Sequence, residues 1–278
     1  MAWHEKQSIP PVCPDDLGKL ESQMGMLGCE RCGRQFPIVN GIVELLPRES
    51  SQKSSAESIQ LDCYSASFSR RPDRPWYQHL RSIMSTLGAG YLYSWTSKNV
   101  EAIAKGRPLS ILDAACGDGI LRSHLPARHG YIGMDFSTRP LLRAQRYHPA
   151  RYYRADLNHI PFPSETFDVV VSLQALQYVS RPEFVLAEIA RVLTADGRLL
   201  LTVPNEECFK YRWQGIPHIQ LQKFNHETIE LLLSRNFRVE KLVAQGIWVP
   251  LPKIHMHVPG VYGAGLGLSW TVLATPKQ

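Results

Sequence analysis

A segment near the middle of the chain combines the pattern of a buried strand with residues that could bind a ligand through their backbone. Residues 111–119 read ILDAACGDG, an apolar run that ends in small, acidic and glycine residues. A glycine turn between a strand and a helix lets the backbone approach a ligand closely, and the helix N-terminus offers N–H groups to a carboxylate or phosphate. The segment therefore predicts a cofactor-binding loop.

A second acidic residue follows at a spacing typical of nucleoside sites. Asp135 closes the next apolar run, YIGMD, 22 residues after Asp113. A carboxylate at the end of a second strand can accept hydrogen bonds from both hydroxyls of a ribose. The loop lacks the GxGxxG spacing of dinucleotide-binding proteins and has little room for a pyrophosphate. This difference favours a nucleoside whose tail is an amino acid.

Alternating strand and helix patterns must position these residues. Apolar runs that are separated by helical segments indicate βαβ units and a parallel sheet with both faces covered. Residues 237–243 and 268–274 predict two final strands, with a loop rich in proline and glycine between them. The earlier strands are predicted at 110–114, 131–135, 152–155, 167–173 and 198–203, and helices at 76–87, 92–104 and 181–194.

The segment from about 109 to 205 resembles class I S-adenosylmethionine-dependent methyltransferases of the type 11 group. Their DxGxGxG motif is matched by Asp113, Gly117 and Gly119, with Ala115 in place of the first glycine. Asp135 stands at the position of their second motif. The passages IPFPSETFDVVVS and RVLTADGRL, at 160–172 and 191–199, resemble the family's LPFPDxSFDVV and RVLKPGGxL.

The resemblance implies a Rossmann-like domain with a doubly wound, mostly parallel seven-stranded sheet and S-adenosylmethionine as cofactor. Asp156 matches the aspartate that meets the adenine in relatives, and Tyr64 resembles an aromatic residue that closes over the cofactor. His218 is the candidate general base, with Tyr178 and His226 as further candidates. The implied cofactor-binding residues are Tyr64, Asp113, Ala115, Gly117, Gly119, Asp135, Phe136, Asp156, Leu157 and Leu173.

The N-terminal residues carry a cysteine pattern of their own. Cys13 is followed by the CxxC pair Cys29 and Cys32, and two apolar runs then flank Asn-Gly at 40–41, a strong hairpin signal. The pattern resembles the small Trm112-like zinc ribbon, with Asp16 where its second cysteine stands. Since a carboxylate can complete a tetrahedral zinc site, Cys13, Asp16, Cys29 and Cys32 are predicted metal ligands. The alternative is a ribbon that has lost its zinc.

These patterns divide the chain into a ribbon module at 1–47, a serine-rich linker at 48–61 and a methyltransferase domain at 62–278. The first residues do not resemble a secretion signal, and no run of 18 apolar residues occurs. Six cysteines in 278 residues do not suggest a disulfide scaffold. We therefore expect a cytoplasmic protein without a membrane span.

Two classes of methyl acceptor fit the sequence. An apolar and aromatic stretch at 245–267, predicted as a loop, would suit a small, partly hydrophobic molecule. The alternative is an rRNA base, bound by the ribbon and by a basic face that includes Arg139, Arg143 and Arg146. Against RNA, the net charge is only +6, and residues 172–175 read SLQA rather than the N/D-P-P-Y of base amino-methyltransferases. A scaffold role, with the ribbon docking a protein partner, is a third possibility.

Overall fold

The computed structural model describes residues 9–23, 25–49, 90–215, 220–251 and 254–277. Tyr64 and His218, which were predicted to act at the cofactor and as a base, lie outside the described residues. The helix predicted at 76–87 and most of the linker predicted at 48–61 lie outside them as well. The fold is therefore described for the ribbon and for most of the larger part of the chain.

The described residues form twelve β-strands and six α-helices. The strands are β1 (Leu20–Gln23), β2 (Met26–Cys29), β3 (Gln35–Val39), β4 (Ile42–Leu45), β5 (Ser110–Ala114), β6 (Gly130–Asp135), β7 (Arg151–Ala155), β8 (Phe167–Leu173), β9 (Leu193–Pro204), β10 (Phe237–Leu251), β11 (Ile254–Tyr262) and β12 (Gly267–Pro276). The helices are α1 (Gly90–Ala104), α2 (Ile120–His124), α3 (Thr138–Tyr147), α4 (Pro182–Val192), α5 (Phe209–Gln214) and α6 (His226–Ser234).

All twelve described strands join one sheet, in the order β1-β2-β3-β4-β7-β6-β5-β8-β9-β12-β10-β11. Neighbouring strands from β4 to β9 run parallel, whereas those at both ends of the order pair antiparallel. The prediction of a mostly parallel sheet of seven strands was therefore right only in part, because the sheet is mixed and larger. The N-terminal strands β1 to β4 extend it at one edge, and C-terminal antiparallel strands extend it at the other.

The prediction of a loop at 245–267 was wrong, because strands β10 and β11 occupy most of this range. Strand β10 continues to Leu251 and pairs with β11, with a register shift between Gln245 and Ile247 at Gly246 (φ 73°). Beyond Ile247, β10 pairs only with β11 among the described residues. Proline is tolerated in such edge positions, where its missing N–H breaks no ladder. Pro250, Pro259 and Gly260, which contributed to the loop prediction, therefore lie in this edge hairpin.

Side chains of the central strands point alternately to the two faces of the sheet, and both faces are covered by buried apolar clusters. In β8, Val170 belongs to one buried apolar cluster, while Val169 and Val171 belong to another. Successive side chains of a strand point to opposite faces, so the two clusters are the cores above and below the sheet. The parallel strands are consequently buried on both sides, as their near-continuous apolar sequences predict.

The helices found among the described residues are short or amphipathic. None of them combines the length and the apolar composition that a membrane-crossing helix needs.

Candidate cofactor pocket and cysteine cluster

A pocket opens at the carboxyl ends of the four adjacent parallel strands β7, β6, β5 and β8. Its walls come from the residues that end these strands and from those just after them. The space within these walls measures about 760 Å³, and part of it is open to solvent. Ligands of open α/β sheets bind in this crevice, beyond the carboxyl ends of the strands.

The loop between β5 and α2, which contributes Ala115 to the pocket wall, has a backbone conformation that favours glycine. Ala115, Gly117 and Gly119 all have positive φ, at 70°, 57° and 72°. A Cβ on Gly119 would lie 2.7 Å from the Tyr152 hydroxyl and 2.9 Å from the Cβ of Ala144, so a larger residue would have to displace one of them. The N–H groups of Ala115 and Cys116 donate to the carbonyl of Met134 at 2.9 Å. The loop is therefore tied to the end of β6.

Asp135 links the loop to the second strand. Its Oδ2 accepts the N–H of Gly117 at 3.0 Å, and its Oδ1 accepts the N–H of Ser137 at 2.8 Å. Burial raises the pKa of Asp135 to about 6, although these two hydrogen bonds act to lower it. Each carboxylate oxygen has two lone pairs, so both can also accept a hydroxyl. The side chain is thus held in one orientation and lines the pocket.

Asp113, the first residue of the glycine motif, forms a hydrogen bond with a tyrosine of the neighbouring strand. It lies in β5, and its Oδ2 accepts a hydrogen bond from the Tyr131 hydroxyl at 2.6 Å. Burial raises its pKa to about 7, and the nearby charge of Asp135 acts in the same direction. Asp113 does not line the pocket.

The structure brings together six of the predicted cofactor residues. They line one pocket although they come from four strands: Ala115, Asp135, Phe136, Asp156, Leu157 and Leu173. Gly117 and Gly119 belong to the loop but are not part of the wall. Asp156 is buried, and its Oδ1 accepts the N–H and the side-chain amide of Asn158, both at 3.0 Å.

Sequence reasoning missed other residues of the wall. Gln174 and Ala175 directly follow β8, and the rule that ligands lie beyond carboxyl ends could have indicated them. Gln174 has a positive φ of 56°, and its amide donates to the hydroxyls of Thr202 and Ser269 at 3.3 and 3.2 Å. Strain of this kind clusters at functional sites. The others are Met134, Ser137, Ala155 and Val179. Tyr178, which the sequence indicated only as a candidate base, also lines the pocket.

The candidate bases differ in their placement. Tyr178 lines the pocket, and burial raises its pKa above the ordinary value. Its hydroxyl therefore stays protonated near neutral pH and can donate a hydrogen bond rather than remove a proton. His226 begins α6, where its ring meets that of Trp270 edge to face at 5.3 Å. It does not line the pocket.

A cluster of four side chains lies in the N-terminal region, around strands β1 and β2. The ligand atoms of Cys13, Asp16, Cys29 and Cys32 all lie within 4.8 Å of one another. The sulfurs of Cys13 and Cys32 are 3.7 Å apart, and the Cys29 sulfur is 3.4 Å from Oδ1 of Asp16. A Cβ on Gly18 would lie 2.7 Å from the Cys29 sulfur. The turn at Gly18 therefore allows the cluster to close.

Comparison with known proteins identifies the central segment. Residues 112–201 match the family model of the methyltransferase domain. The chain is 33% identical over 94 residues to malonyl-[acyl-carrier protein] O-methyltransferase of Erwinia billingiae, covering 33% of this chain and 38% of that protein. It is 35% identical over 115 residues to a phthiotriol/phenolphthiotriol dimycocerosates methyltransferase of Mycobacterium leprae, covering 39% and 41%. The chain thus spans about two fifths of the length of these relatives.

A solved structure supports the fold over a longer range. A chain from the complex between the Haloferax volcanii Trm112 methyltransferase activator and a methyltransferase aligns with a TM-score of 0.53. The sequences are 15% identical, and the alignment covers 77% of this chain and 98% of that one. Most of this chain therefore shares the fold of that protein.

Proposed function

We propose that the chain is an S-adenosylmethionine-dependent methyltransferase whose acceptor is a small, partly hydrophobic molecule. One observation carries the proposal: the carboxyl ends of four parallel strands gather, in one pocket, the residues that the sequence marked for a nucleoside. The match of residues 112–201 to a methyltransferase domain supports the same chemistry. The pocket then serves the cofactor, and the acceptor enters beside it.

Each part of the pocket suits one part of that cofactor. Asp135 is held by two backbone N–H groups and retains lone pairs for the ribose hydroxyls. By the family resemblance, Asp156 and Leu157 would meet the adenine. The loop at 115–119 would hold the amino-acid tail. Anchoring the cofactor at these three parts fixes the direction in which its reactive end points.

Methyl transfer requires little from the protein side chains beyond orienting the acceptor and the cofactor. When bound, S-adenosylmethionine supplies a sulfonium methyl group that is already activated for displacement. The protein must hold the acceptor atom in line with that methyl group and exclude water, an effect worth about 7–11 kcal/mol in ideal cases. Leu157, Leu173 and Val179 give the pocket an apolar wall that suits this task.

The acceptor class rests on the pocket and on the names of the relatives. One relative methylates malonyl-[acyl-carrier protein], and the other acts on phthiotriol dimycocerosates. The RNA alternative has weaker support, because the basic face predicted on α3 is interrupted. Arg139 and Arg146 are exposed, but Arg143 is half-buried, with Nε and Nη2 of its guanidinium shielded from solvent.

We also propose a structural zinc ion in the cysteine cluster. Zn–S bonds of about 2.3 Å and Zn–O bonds of about 2.0 Å place two tetrahedral sulfurs about 3.8 Å apart, and a sulfur and an oxygen about 3.5 Å apart. The Cys13–Cys32 and Cys29–Asp16 distances of 3.7 and 3.4 Å fit these edges. The ion would be bound by Cys13, Asp16, Cys29 and Cys32. It would thereby cross-link the turns of the ribbon.

Calorimetry tests the cofactor assignment. The purified protein should bind S-adenosylmethionine and its product S-adenosylhomocysteine saturably, and each should raise the unfolding temperature by linkage. Asp135→Ala should weaken binding by about 1–3 kcal/mol, because two hydroxyls lose their acceptor. Asp196→Ala, at an exposed position outside the pocket, should bind like the wild type. Absence of heat and of stabilisation with both ligands would reject the assignment.

A labelled methyl group tests the acceptor class. Incubating the protein with a cell extract and methyl-labelled S-adenosylmethionine should transfer label to molecules that partition into organic solvent. The same protein carrying Asp135→Ala serves as the control for background labelling. Label that appears instead in acid-precipitated, ribonuclease-sensitive material would favour the RNA alternative.

A further inference from the structure

The ribbon joins the sheet beside the cofactor pocket. Strand β4 runs parallel to β7, with Val43 opposite Tyr153, Glu44 opposite Arg154, and Leu45 opposite Ala155. Strand β7 in turn pairs with β6, where Arg154 lies opposite Asp135. Glu44, Arg154 and Asp135 therefore form one row across three adjacent strands. The last residue of this row lines the pocket.

Arg154 connects the two ends of the row. Its Nη1 donates to Oε2 of Glu44 at 2.7 Å, and its Nε donates to the carbonyl oxygen of Phe136 at 2.9 Å. The same guanidinium lies 5.6 Å from the centre of the Phe136 ring. Phe136 follows Asp135 and belongs to the pocket wall. One side chain thus links a ribbon carboxylate to the turn that presents the ribose-binding aspartate.

Other contacts support the same turn from the ribbon side. A Cβ on Gly41, at the tip of the ribbon hairpin, would lie 2.9 Å from the side-chain amide of Gln145 in α3. Ile42 belongs to the buried cluster that includes Leu141 and Ala144 of the same helix. Helix α3 begins at Thr138, directly after the turn. The hairpin therefore packs against the helix that continues from the pocket wall.

We propose that Glu44 and Arg154 are positioning residues that couple the ribbon to the cofactor pocket. Glu44 orients the guanidinium of Arg154, which holds the carbonyl and the ring of Phe136 and so preorganises the turn from Asp135 to Ser137. Without this support the turn must be ordered when the cofactor binds, and that cost lowers the affinity. The proposal rests on the proposed function, because the pocket must bind S-adenosylmethionine.

A double-mutant cycle on the full chain tests the coupling. Calorimetry would give the dissociation constant for S-adenosylhomocysteine in the wild type, Glu44→Ala, Arg154→Gln and the double variant. We expect about 3- to 10-fold weaker binding for Glu44→Ala and about 5- to 20-fold for Arg154→Gln, from the loss of charge-assisted hydrogen bonds. The double variant should bind no more weakly than Arg154→Gln alone, because Glu44 acts through Arg154.

A matched ion pair away from the pocket provides the control. Arg198 lies 3.0 Å from Glu240, and the exposed fractions of the two side chains are 28% and 31%, close to the 26% and 19% of Arg154 and Glu44. Arg198→Gln should lower the denaturant midpoint about as much as Arg154→Gln but change the dissociation constant less than twofold. Glu44→Gln, which keeps an acceptor of the same shape, should recover most of the affinity lost in Glu44→Ala.

Three outcomes would overturn the coupling. The first is wild-type affinity in both single variants, and the second is losses that add in the double variant. The third is an equal loss of affinity in Arg198→Gln, which would indicate a general effect of stability. In each of these cases wild-type binding leaves the proposed function standing. A wild-type protein that binds neither S-adenosylmethionine nor S-adenosylhomocysteine would reject the proposed function, and the coupling with it.

Discussion

The buried state of Asp135 predicts that cofactor affinity depends on pH in a range where most carboxyl groups no longer titrate. Burial raises the pKa of this side chain to about 6, against an ordinary value of 3.8. A carboxylate accepts hydrogen bonds at both oxygens, whereas the protonated group carries a hydroxyl that must itself donate. The ribose hydroxyls should therefore bind best to the ionised form, and affinity should fall as the pH is lowered through 6.

The size of the effect follows from this pKa. At pH 8 almost all of Asp135 is ionised, and at pH 5, one pH unit below the pKa, about one tenth is. If only the ionised form binds well, the dissociation constant for S-adenosylhomocysteine should rise about tenfold between pH 8 and pH 5. A tenfold change corresponds to about 1.4 kcal/mol of binding free energy, which calorimetry resolves.

The assay must separate Asp135 from its neighbour. Asp113 also titrates in this range, since burial raises its pKa to about 7. The dissociation constant should be measured at half-unit steps from pH 5 to pH 8 in the wild type, Asp113→Asn and Asp135→Asn. The loss of affinity as the pH is lowered through 6 should persist in Asp113→Asn. In Asp135→Asn the affinity should be low and nearly independent of pH.

Two results would refute this reasoning. A wild-type dissociation constant that stays within twofold from pH 5 to pH 8 would show that ionisation of Asp135 does not govern binding. A transition near pH 6 that survives in Asp135→Asn but disappears in Asp113→Asn would assign the titration to the other carboxyl group.

The remaining predictions concern stability, metal content and charge. Gly119→Ala should lower the free energy of unfolding by about 2–4 kcal/mol, because φ is 72° and the new Cβ would meet Tyr152. Denaturant unfolding measures this loss. The control is Gly265→Ala, where an added Cβ would have no neighbour within 4 Å. For Asp113, a pKa of about 7 in the folded chain against 3.8 unfolded means that its stabilising contribution is complete below pH 3.8 and is lost as the pH rises to about 7. Asp113→Asn should therefore flatten the pH dependence of unfolding between pH 4 and pH 8 by a few kcal/mol. Elemental analysis should find about one zinc per chain, lost in Cys29→Ser but kept in Cys116→Ser; a metal-free wild type with a protease-resistant ribbon would contradict the metal site. A triple Arg→Ala variant at 139, 143 and 146 should bind S-adenosylhomocysteine like the wild type. The RNA alternative would be favoured if the wild type bound an rRNA fragment with submicromolar, steeply salt-dependent affinity and the triple variant did not.

Much of the central fold could be predicted from the sequence because its signals are local. The strands observed as Ser110–Ala114 and Phe167–Leu173 have the predicted bounds, since runs of apolar residues between polar segments mark buried strands. The turn at residues 115–119 was predicted for the same reason, because glycine permits the positive φ that the loop adopts. The C-terminal loop was mispredicted because edge strands tolerate the proline and glycine that elsewhere interrupt strands.

Only the tertiary structure decided which side chains line the pocket. Asp113 and Asp135 look equivalent in sequence, each an acidic residue at or near the end of an apolar run. In the folded chain Asp113 accepts a hydrogen bond from the Tyr131 hydroxyl and does not line the pocket, while Asp135 lies in the wall. Tyr178 enters the wall from a short 3₁₀ turn. Such placements depend on the packing of several elements at once, which no spacing rule expresses.

The N-terminal module shows most clearly the difference between what local sequence signals reveal and what tertiary packing decides. Its cysteines and its Asn-Gly hairpin are visible in the sequence, because metal-ligand spacing and turn chemistry involve neighbouring residues. The pairing of β4 with β7 brings together Glu44 and Arg154, which are 110 positions apart. Parallel pairing leaves no turn signal between its strands, and an edge strand accepts any partner of suitable shape. The sequence therefore determined the local hairpin and the cysteine spacing, and only tertiary packing decided that β4 pairs with β7 at the edge of the parallel strands.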